Sequence, residues 1–318
     1  MNIMNKKPPR ESRRIGIIGL DHMLSVELTR IINKVSDEGK YYGYRVSAAY
    51  PHGTRDLTYR SARVPEYSEA LRRLGVNIVH SIKELLQLVD CVIITSNDGR
   101  VHREQALLAI EAGKPVFIHK PLAGSWDDAL SIYRSSKRHN TPVFSSSSLR
   151  FIDSIRRLDN WISKWRVGKI LGAHTYSPAH FDGSEPDLLW NAINGIEMLF
   201  AIMGPGCTSV QRINNENYDY LIGQWRDGRI GTFRGARRGS DGFGGVVFGQ
   251  KSNIILGGFE GFEPIASEII NFFEEKKSPV SLEETLEIMA FIIAADESKK
   301  NGGRRMQLRT NQSSGFKI

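Results

Sequence analysis

Lys120 is the residue of this sequence best placed to do chemistry. It follows the apolar run Val116–His119, which predicts a buried strand, and Pro121 comes immediately after it. In an open parallel sheet, ligands bind beyond the carboxyl ends of the strands, and a desolvated lysine there can donate or accept a proton. The sequence therefore makes Lys120 the first catalytic candidate, with a surface lysine in a strand-to-loop turn as the alternative.

A second candidate site lies near the beginning of the chain, where residues 14–24 read as a short apolar strand and a turn that leads into a helix. Dinucleotide-binding turns carry the pattern GxGxxG after such a strand, because glycine lets the backbone approach the diphosphate at the helix N-terminus. Gly19 is in the first position, but Asp21 and Leu24 occupy the second and third. A carboxylate beside a diphosphate is unfavourable unless Asp21 caps the helix instead.

Strands and helices alternate through about the first 148 residues. The predicted strands after the first are 44–50, 77–80, 90–95, 116–119 and 142–145, and the main predicted helices among them are 81–88, 102–112 and 126–137. This alternation implies right-handed crossovers and a doubly wound parallel sheet. We expect a flexible basic N-terminus at 1–14, a Rossmann-like α/β domain at 15–148 and a second domain at 149–318.

The second domain is predicted to be α+β with a largely antiparallel, open sheet. Residues 170–176 alternate between apolar and polar, and segments 220–224 and 230–234 predict a hairpin across Asp227-Gly228. Segments 245–249 and 253–256 predict another. Long helical segments lie on both sides of these strands in sequence, so we expect the helices to cover one face of the sheet.

The chain resembles the glucose-fructose oxidoreductase, inositol dehydrogenase and rhizopine-catabolism (Gfo/Idh/MocA) oxidoreductases. The segments that carry the resemblance are Gly16–Gly19, Asp90–Asn97 with His102, Gly113–Pro121, Thr141–Arg150, Trp190–Gly204 and Leu282–Ser298. By this resemblance Lys120 matches the lysine of a Glu-Lys-Pro motif beside the nicotinamide and the reacting carbon. The resemblance implies an NAD(P)-dependent oxidoreductase that transfers a hydride to or from a sugar- or polyol-like substrate.

Three residues depart from the family pattern. His119 stands where the family usually has an acidic residue, Asn194 matches its histidine, and Trp190 matches its aspartate. Neither an amide nor an indole exchanges protons near neutral pH, so the acid–base set is reduced to Lys120. Two interpretations follow: Lys120 handles the proton, helped by His119 or His180, or the protein is a catalytically silent binder of dinucleotide or carbohydrate.

The cofactor is expected to be NAD or NADP, with a lean toward NADP. NAD-specific sites end the second strand with a carboxylate, whereas an arginine accommodates the 2′-phosphate of NADP. Here Arg55 closely follows that strand, and no carboxylate lies between the end of the strand and Asp56. Tyr50 could stack on the adenine or simply pack against the protein. The residues predicted to contact the cofactor are Gly19, Asp21, Tyr50, Arg55, Ser96, Asn97, His102, His119 and Lys120.

The substrate contacts are expected around the loops that precede the helix bearing Asn194. By the family's geometry, the predicted substrate-binding residues are Arg150, His180, Trp190 and Asn194. Glu197 lies close to Asn194 on the same helix face and could equally anchor the helix. By analogy with the family, the open face of the second sheet predicts a homodimer or homotetramer.

Composition narrows the class of protein. The chain has 318 residues with 40% hydrophobic and 25% charged residues, and it contains no apolar run long enough to span a bilayer. Its two cysteines have no metal-ligand neighbours, so neither a disulfide framework nor a metal site is expected. The net charge of +8 is dispersed and comes without a nucleic-acid motif. We expect a cytoplasmic protein without membrane or nucleic-acid partners.

Overall fold

The computed structural model describes residues 13–34, 41, 43–54, 61–180 and 187–309. Residues 1–12 of the predicted basic N-terminus lie outside this part of the chain. The first strand begins at Arg13, so the last two residues of that predicted segment belong to the first sheet.

The first sheet has six parallel strands in the order β3-β2-β1-β4-β5-β6. They are β1 (Arg13–Ile18), β2 (Tyr44–Tyr50), β3 (Asn77–Ile78), β4 (Cys91–Ile94), β5 (Val116–His119) and β6 (Val143–Ser146). The order reverses at β1, whose neighbours are β2 and β4, and this arrangement confirms the predicted doubly wound sheet. Ligands of such sheets bind beyond the carboxyl ends of the strands at that reversal.

The helices of this domain have clear local causes. They are α1 (Leu24–Asn33), α2 (Val64–Arg73), α3 (Ile82–Leu88), α4 (His102–Glu111) and α5 (Trp126–His139). Ser81 and Ser125 cap α3 and α5 by accepting backbone N–H groups three residues ahead, and Asn140 ends α5 in the left-handed conformation. A short 3-10 turn, Gly99–Val101, connects the loop after β4 to α4.

The second sheet has seven strands in the order β12-β11-β7-β10-β9-β8-β13. They are β7 (Ile170–Pro178), β8 (Cys207–Asn214), β9 (Tyr218–Trp225), β10 (Ile230–Ala236), β11 (Gly244–Gly249), β12 (Asn253–Leu256) and β13 (Met306–Gln307). Every pair is antiparallel except β7 with β10, and both predicted hairpins form as β9–β10 and β11–β12. The predicted antiparallel α+β architecture is therefore confirmed.

Helices of the second half serve both sheets. They are α6 (Asp153–Arg156), α7 (Leu158–Ser163), α8 (Ile193–Met203), α9 (Glu263–Glu275) and α10 (Leu282–Lys300). Helix α8 packs on β7 and β10, and α10 packs on β8. Although α9 falls in the predicted second domain, its apolar residues share a core with β1 and with Phe117 and Phe144 of the first sheet. The chain thus returns late to cover the Rossmann-like sheet.

Candidate active site

Gly19 lets the loop after β1 lie directly against the loop after β4. Its φ is +87°, and a Cβ atom there would lie 2.2 Å from Ser96 Oγ and 2.6 Å from the Ser96 backbone. The Thr95 hydroxyl also donates to the Gly19 carbonyl at 2.6 Å. Any side chain at position 19 would separate these two loops. The glycine is therefore required by packing between the loops, in addition to any approach of a ligand.

Asp21 does not cap α1. The residue before that helix, Met23, makes no side-chain cap bond, and the Asp21 carboxylate turns toward other loops. It accepts hydrogen bonds from the Thr54 hydroxyl and, at 3.0 Å, from the Asn97 backbone N–H. The side chain is buried, and this burial raises the carboxyl pKa above its ordinary value even though both hydrogen bonds lower it. Asp21 thus joins the loops that follow β1, β2 and β4.

His102 links the loop after β4 to the loop after β5. The ring is fully buried, with Nδ1 2.8 Å from the Pro121 carbonyl oxygen and Nε2 2.8 Å from the Ser96 carbonyl oxygen. Burial lowers the pKa of His102, although both carbonyl contacts favour the protonated ring. A neutral ring donates only one of these two bonds at a time. This predicted cofactor residue therefore holds the backbone beside Lys120.

A pair of imidazoles fills the space between the first turn and the end of β5. His119 is buried, and its ring centroid lies 4.8 Å from that of His22. Burial lowers the pKa of His119 well below its ordinary value, and the nearby His22, Lys120 and His102 lower it further. His119 is consequently neutral near pH 7, so it adds no positive charge beside the lysine.

Lys120 and Trp190 meet where the two halves of the chain come together. Lys120 is only 6% exposed, and its ammonium Nζ donates to the Trp190 carbonyl oxygen at 3.0 Å. The same Nζ lies 4.8 Å from the centroid of the Trp190 ring. The alternative of a surface lysine is therefore wrong. The structure brings the predicted catalytic residue to the segment that begins the predicted substrate helix.

The helix that carries Asn194 is anchored by buried charge. The Asn194 side-chain amide donates to the Asn191 carbonyl at 3.1 Å, and Glu197, one turn on, accepts from the Ser146 hydroxyl at 2.8 Å. Arg150 lies between Glu197, at 3.6 Å, and Glu284 of α10. Burial raises the pKa of Glu197 to about 7, while Arg150 and Ser146 oppose this rise.

Both Arg150 and Glu197 therefore have partners in the protein itself. Arg150 is almost wholly buried, and the carboxylates that face it belong to α8 and α10. Through these contacts Arg150 links the two helices to the start of the second domain. Its predicted contact with substrate stays a prediction.

Sequence reasoning missed a network of charges beneath the Trp190 segment that is centred on the buried Arg212 and Asp219. Its members are Asp187, Arg212, Asp219, Arg237, Asp296 and Lys299. The fully buried Arg212 guanidinium donates to Asp187, Asp219 and Asp296, and Arg237 donates to Asp187 and Asp219. Burial opposes ionisation, but Arg212 and Arg237 lower the pKa of Asp187 to about 2. Asp187 stands three residues before Trp190, so this network holds the segment onto the second sheet.

The remaining predicted residues contact other parts of the protein. His180 Nδ1 is 3.1 Å from the Arg237 carbonyl oxygen and its Nε2 contacts Asp241, and both contacts raise its pKa above the ordinary value. The Tyr50 ring packs edge-on against His52 at 5.5 Å between centroids. Arg55 lies outside the described residues.

The described residues contain no group of three or more His, Cys, Asp or Glu side chains arranged to hold a metal ion. No helix in the described part of the chain combines the length and apolar character needed to cross a membrane.

Comparisons with known proteins agree with the fold. Residues 13–146 match the sequence model of the Gfo/Idh/MocA group, described as an oxidoreductase family with an NAD-binding Rossmann fold. The 1,5-anhydro-D-fructose reductase of Ensifer adhaerens is 31% identical over 110 residues, which cover 33% of this chain and 33% of that protein. The matched segments span about a third or less of the length of the first such relatives.

Two solved structures resemble nearly the whole chain. A probable dehydrogenase from Thermotoga maritima has a TM-score of 0.75 at 20% identity and covers 92% of this chain and 98% of its own. The scyllo-inositol dehydrogenase of Lactobacillus casei, with bound NAD(H) and scyllo-inositol, has a TM-score of 0.73 at 17% identity and covers 93% and 99%. Likeness at these identities shows a shared fold.

Proposed function

We propose, on the premise that this chain belongs to the Gfo/Idh/MocA oxidoreductases through residues 13–146, that it is an NAD(P)-dependent oxidoreductase. Its substrate is a sugar- or polyol-like alcohol or the matching ketone. The observation that carries this proposal is the buried Lys120 at the carboxyl end of β5, in contact with the Trp190 segment of the second domain.

Each residue of the site has a separate role in the proposed reaction. A bound nicotinamide cofactor would supply the hydride chemistry at the alcohol carbon. Lys120 moves the proton at the alcohol oxygen, since its ammonium is held in a nearly dry position between β5 and Trp190. The Trp190 ring offers an apolar face to the substrate, and the Asn194 amide hydrogen-bonds a hydroxyl without exchanging a proton.

The two ends of the crevice fit a dinucleotide unequally. The strand order and the buried Lys120 fit the nicotinamide end. At the other end, the Asp21 carboxylate stands where the fingerprint has its second glycine, and its oxygens would be 3.0 and 3.1 Å from a Cβ on Gly53. The residues present at that end do not fit a diphosphate as they stand.

The preference for NADP(H) over NAD(H) is part of the proposal but rests on Arg55 alone. Asp21 brings a carboxylate to the end of β2 from another strand, and such a carboxylate disfavours a 2′-phosphate. We expect NADPH to bind at least as well as NADH if Arg55 outweighs Asp21, and Arg55→Glu to reverse the preference. Strong preference of the unmodified protein for NADH would assign the dominant influence to Asp21.

A homodimer or homotetramer through the open face of the second sheet also belongs to the proposal. Several large apolar side chains of this domain are exposed, among them Ile213, Ile230, Phe248 and Ile255. Light scattering on the purified protein tests this assembly, and a monomer at micromolar concentration would contradict it. The cytoplasmic location remains a prediction.

The test of the function uses Lys120→Met. We expect turnover of a sugar, inositol or keto-sugar to fall by about 10²-fold or more while dinucleotide affinity stays within a few fold. The matched control is Lys114→Met, because Lys114 lies in the turn before β5 at the opposite end of the same strand. We expect this control to retain its turnover.

Two results would contradict the proposal in different ways. Unchanged turnover in Lys120→Met would remove this lysine from the mechanism. Tight dinucleotide binding without turnover of any substrate in the panel would favour the alternative, a catalytically silent binder of dinucleotide or carbohydrate.

A further inference from the structure

The loop that follows β2 lies directly on the loop that follows β4. A Cβ atom added to Gly53 would be 2.9 Å from Ser96 Oγ, so the two backbones are in contact there. The Gln105 side-chain amide of α4 also points at the His52 carbonyl oxygen, 3.5 Å away. These loops stand on either side of β1, where a doubly wound sheet receives its ligand. In this arrangement the two loops are in contact at that end of the crevice.

Asp21 is the side chain that fastens these loops together. It accepts one hydrogen bond from Thr54 in the β2 loop and one from the Asn97 N–H in the β4 loop. It is 4% exposed, so its carboxylate is enclosed between them. At this position the fingerprint requires glycine, because only a residue without a side chain lets the backbone approach the diphosphate.

Two backbone donors at the start of α1 are also engaged. The Leu24 N–H donates to His22 Nδ1 at 3.0 Å, and the Ser25 N–H donates to the His22 carbonyl at 3.1 Å. Amide groups at the start of a helix following such a strand are those that bind a diphosphate in related folds. Here these two N–H groups bond to His22 within the turn itself.

We propose that Asp21 is an autoinhibitory latch, which holds the β2 and β4 loops together over the adenosine end of the crevice and must release them before a dinucleotide binds. This inference rests on the proposed dinucleotide-dependent function. The apparent affinity for a dinucleotide is then the affinity of the open form multiplied by the fraction of molecules whose latch is open.

Two substitutions in the latch are expected to increase the affinity for NADH to different extents. Asp21→Ala removes both hydrogen bonds and the negative charge, so we expect NADH to bind about tenfold more tightly or better. Thr54→Val removes one bond and keeps the charge, so we expect a smaller gain of about two- to threefold. The matched control is Asp90→Ala. Asp90 lies immediately before β4 and accepts hydrogen bonds from Arg14 of β1, at the opposite end of these two strands from Asp21.

The experiment measures two properties of the full chain. Nicotinamide fluorescence follows titration of each protein with NADH and with NADPH. Hydrogen exchange of the free proteins, read in peptides covering 51–54 and 95–98, reports whether the loops have separated. We expect faster exchange of both segments in Asp21→Ala and Thr54→Val, and unchanged exchange and affinity in Asp90→Ala.

Each contrary outcome identifies what has failed. Unchanged or weaker NADH binding by folded Asp21→Ala and Thr54→Val, with wild-type protein binding in the micromolar range, would overturn the latch and leave the proposed function standing. Faster exchange without any dinucleotide binding, in all variants up to millimolar NADH and NADPH, would overturn both. Thermal unfolding of each variant establishes that it is folded, and Thr54→Val decides the matter if Asp21→Ala is not.

Discussion

Two aspartates, the buried Asp21 and the half-buried Asp187, lie at opposite ends of the candidate site and have opposite electrostatic surroundings. Asp21 receives hydrogen bonds from neutral donors, the Thr54 hydroxyl and the Asn97 N–H. Asp187 is bound by the charged groups of Arg212, Arg237 and Lys299. Burial accordingly raises the pKa of Asp21, whereas in Asp187 the cations outweigh burial and lower the pKa to about 2.

The difference separates a fixed part of the site from one that can change. Removing one partner from a buried ion pair leaves an uncompensated charge, so the Asp187 network resists rearrangement. The hydrogen bonds of Asp21 come from neutral donors, so breaking them leaves no unpaired cation. Water or ligand groups can replace these bonds. The Trp190 segment therefore rests on a rigid support, while the adenosine end of the crevice is closed by contacts that can be exchanged.

The largest expected effect comes from removing the centre of the network. Arg212→Met leaves the buried Asp219 and the half-buried Asp296 without their main cation, so we expect the free energy of unfolding to fall by about 3–5 kcal/mol. Urea denaturation at pH 7 measures it. Arg238→Met, at an exposed pair with Glu216, is the control and should change stability little. A comparable loss in both variants would show that the network is not a special support.

A smaller effect is expected at Asp187 itself. Its folded-state pKa of about 2 lies below its ordinary value of 3.8, so its contribution to stability is present above pH 4 and is lost as the pH falls toward 2. Asp187→Asn should cost about 2 kcal/mol at pH 7 and weaken this acid dependence. Denaturation midpoints between pH 2 and 7 provide the measurement, with the exposed Asp159→Asn as control. An equal acid dependence in wild-type protein and Asp187→Asn would contradict the assignment.

The smallest effect, of opposite sign, is expected at Asp21. Its folded-state pKa is raised, so the folded protein holds this proton at a pH where the unfolded chain has released it, and stability from this group falls as the pH rises. Asp21→Asn should therefore gain stability relative to wild-type protein between pH 4 and 7. A loss at pH 7 like that of Asp187→Asn would mean that the two aspartates are alike, and the comparison would fail.

Much of the fold was predictable because its signals are local. The strand Val116–His119 and the strands Tyr44–Tyr50 and Asn253–Leu256 are apolar or alternating runs, and their predicted limits agree with the structure. Serine caps and an Asp-Gly turn mark the ends of other elements through contacts a few residues apart. The same local order placed Lys120 at the carboxyl end of a buried strand.

The sequence by itself determined the parallel α/β domain, the antiparallel second sheet and the position of Lys120, because strand periodicity and strand ends are properties of neighbouring residues. Only the tertiary structure decided what surrounds the two aspartates. Thr54 and Asn97 are 33 and 76 residues from Asp21, and Arg212 is 25 residues from Asp187. Whether a buried carboxylate meets a hydroxyl or a guanidinium depends on which distant loops the fold brings together, and that choice separates a releasable latch from a rigid support.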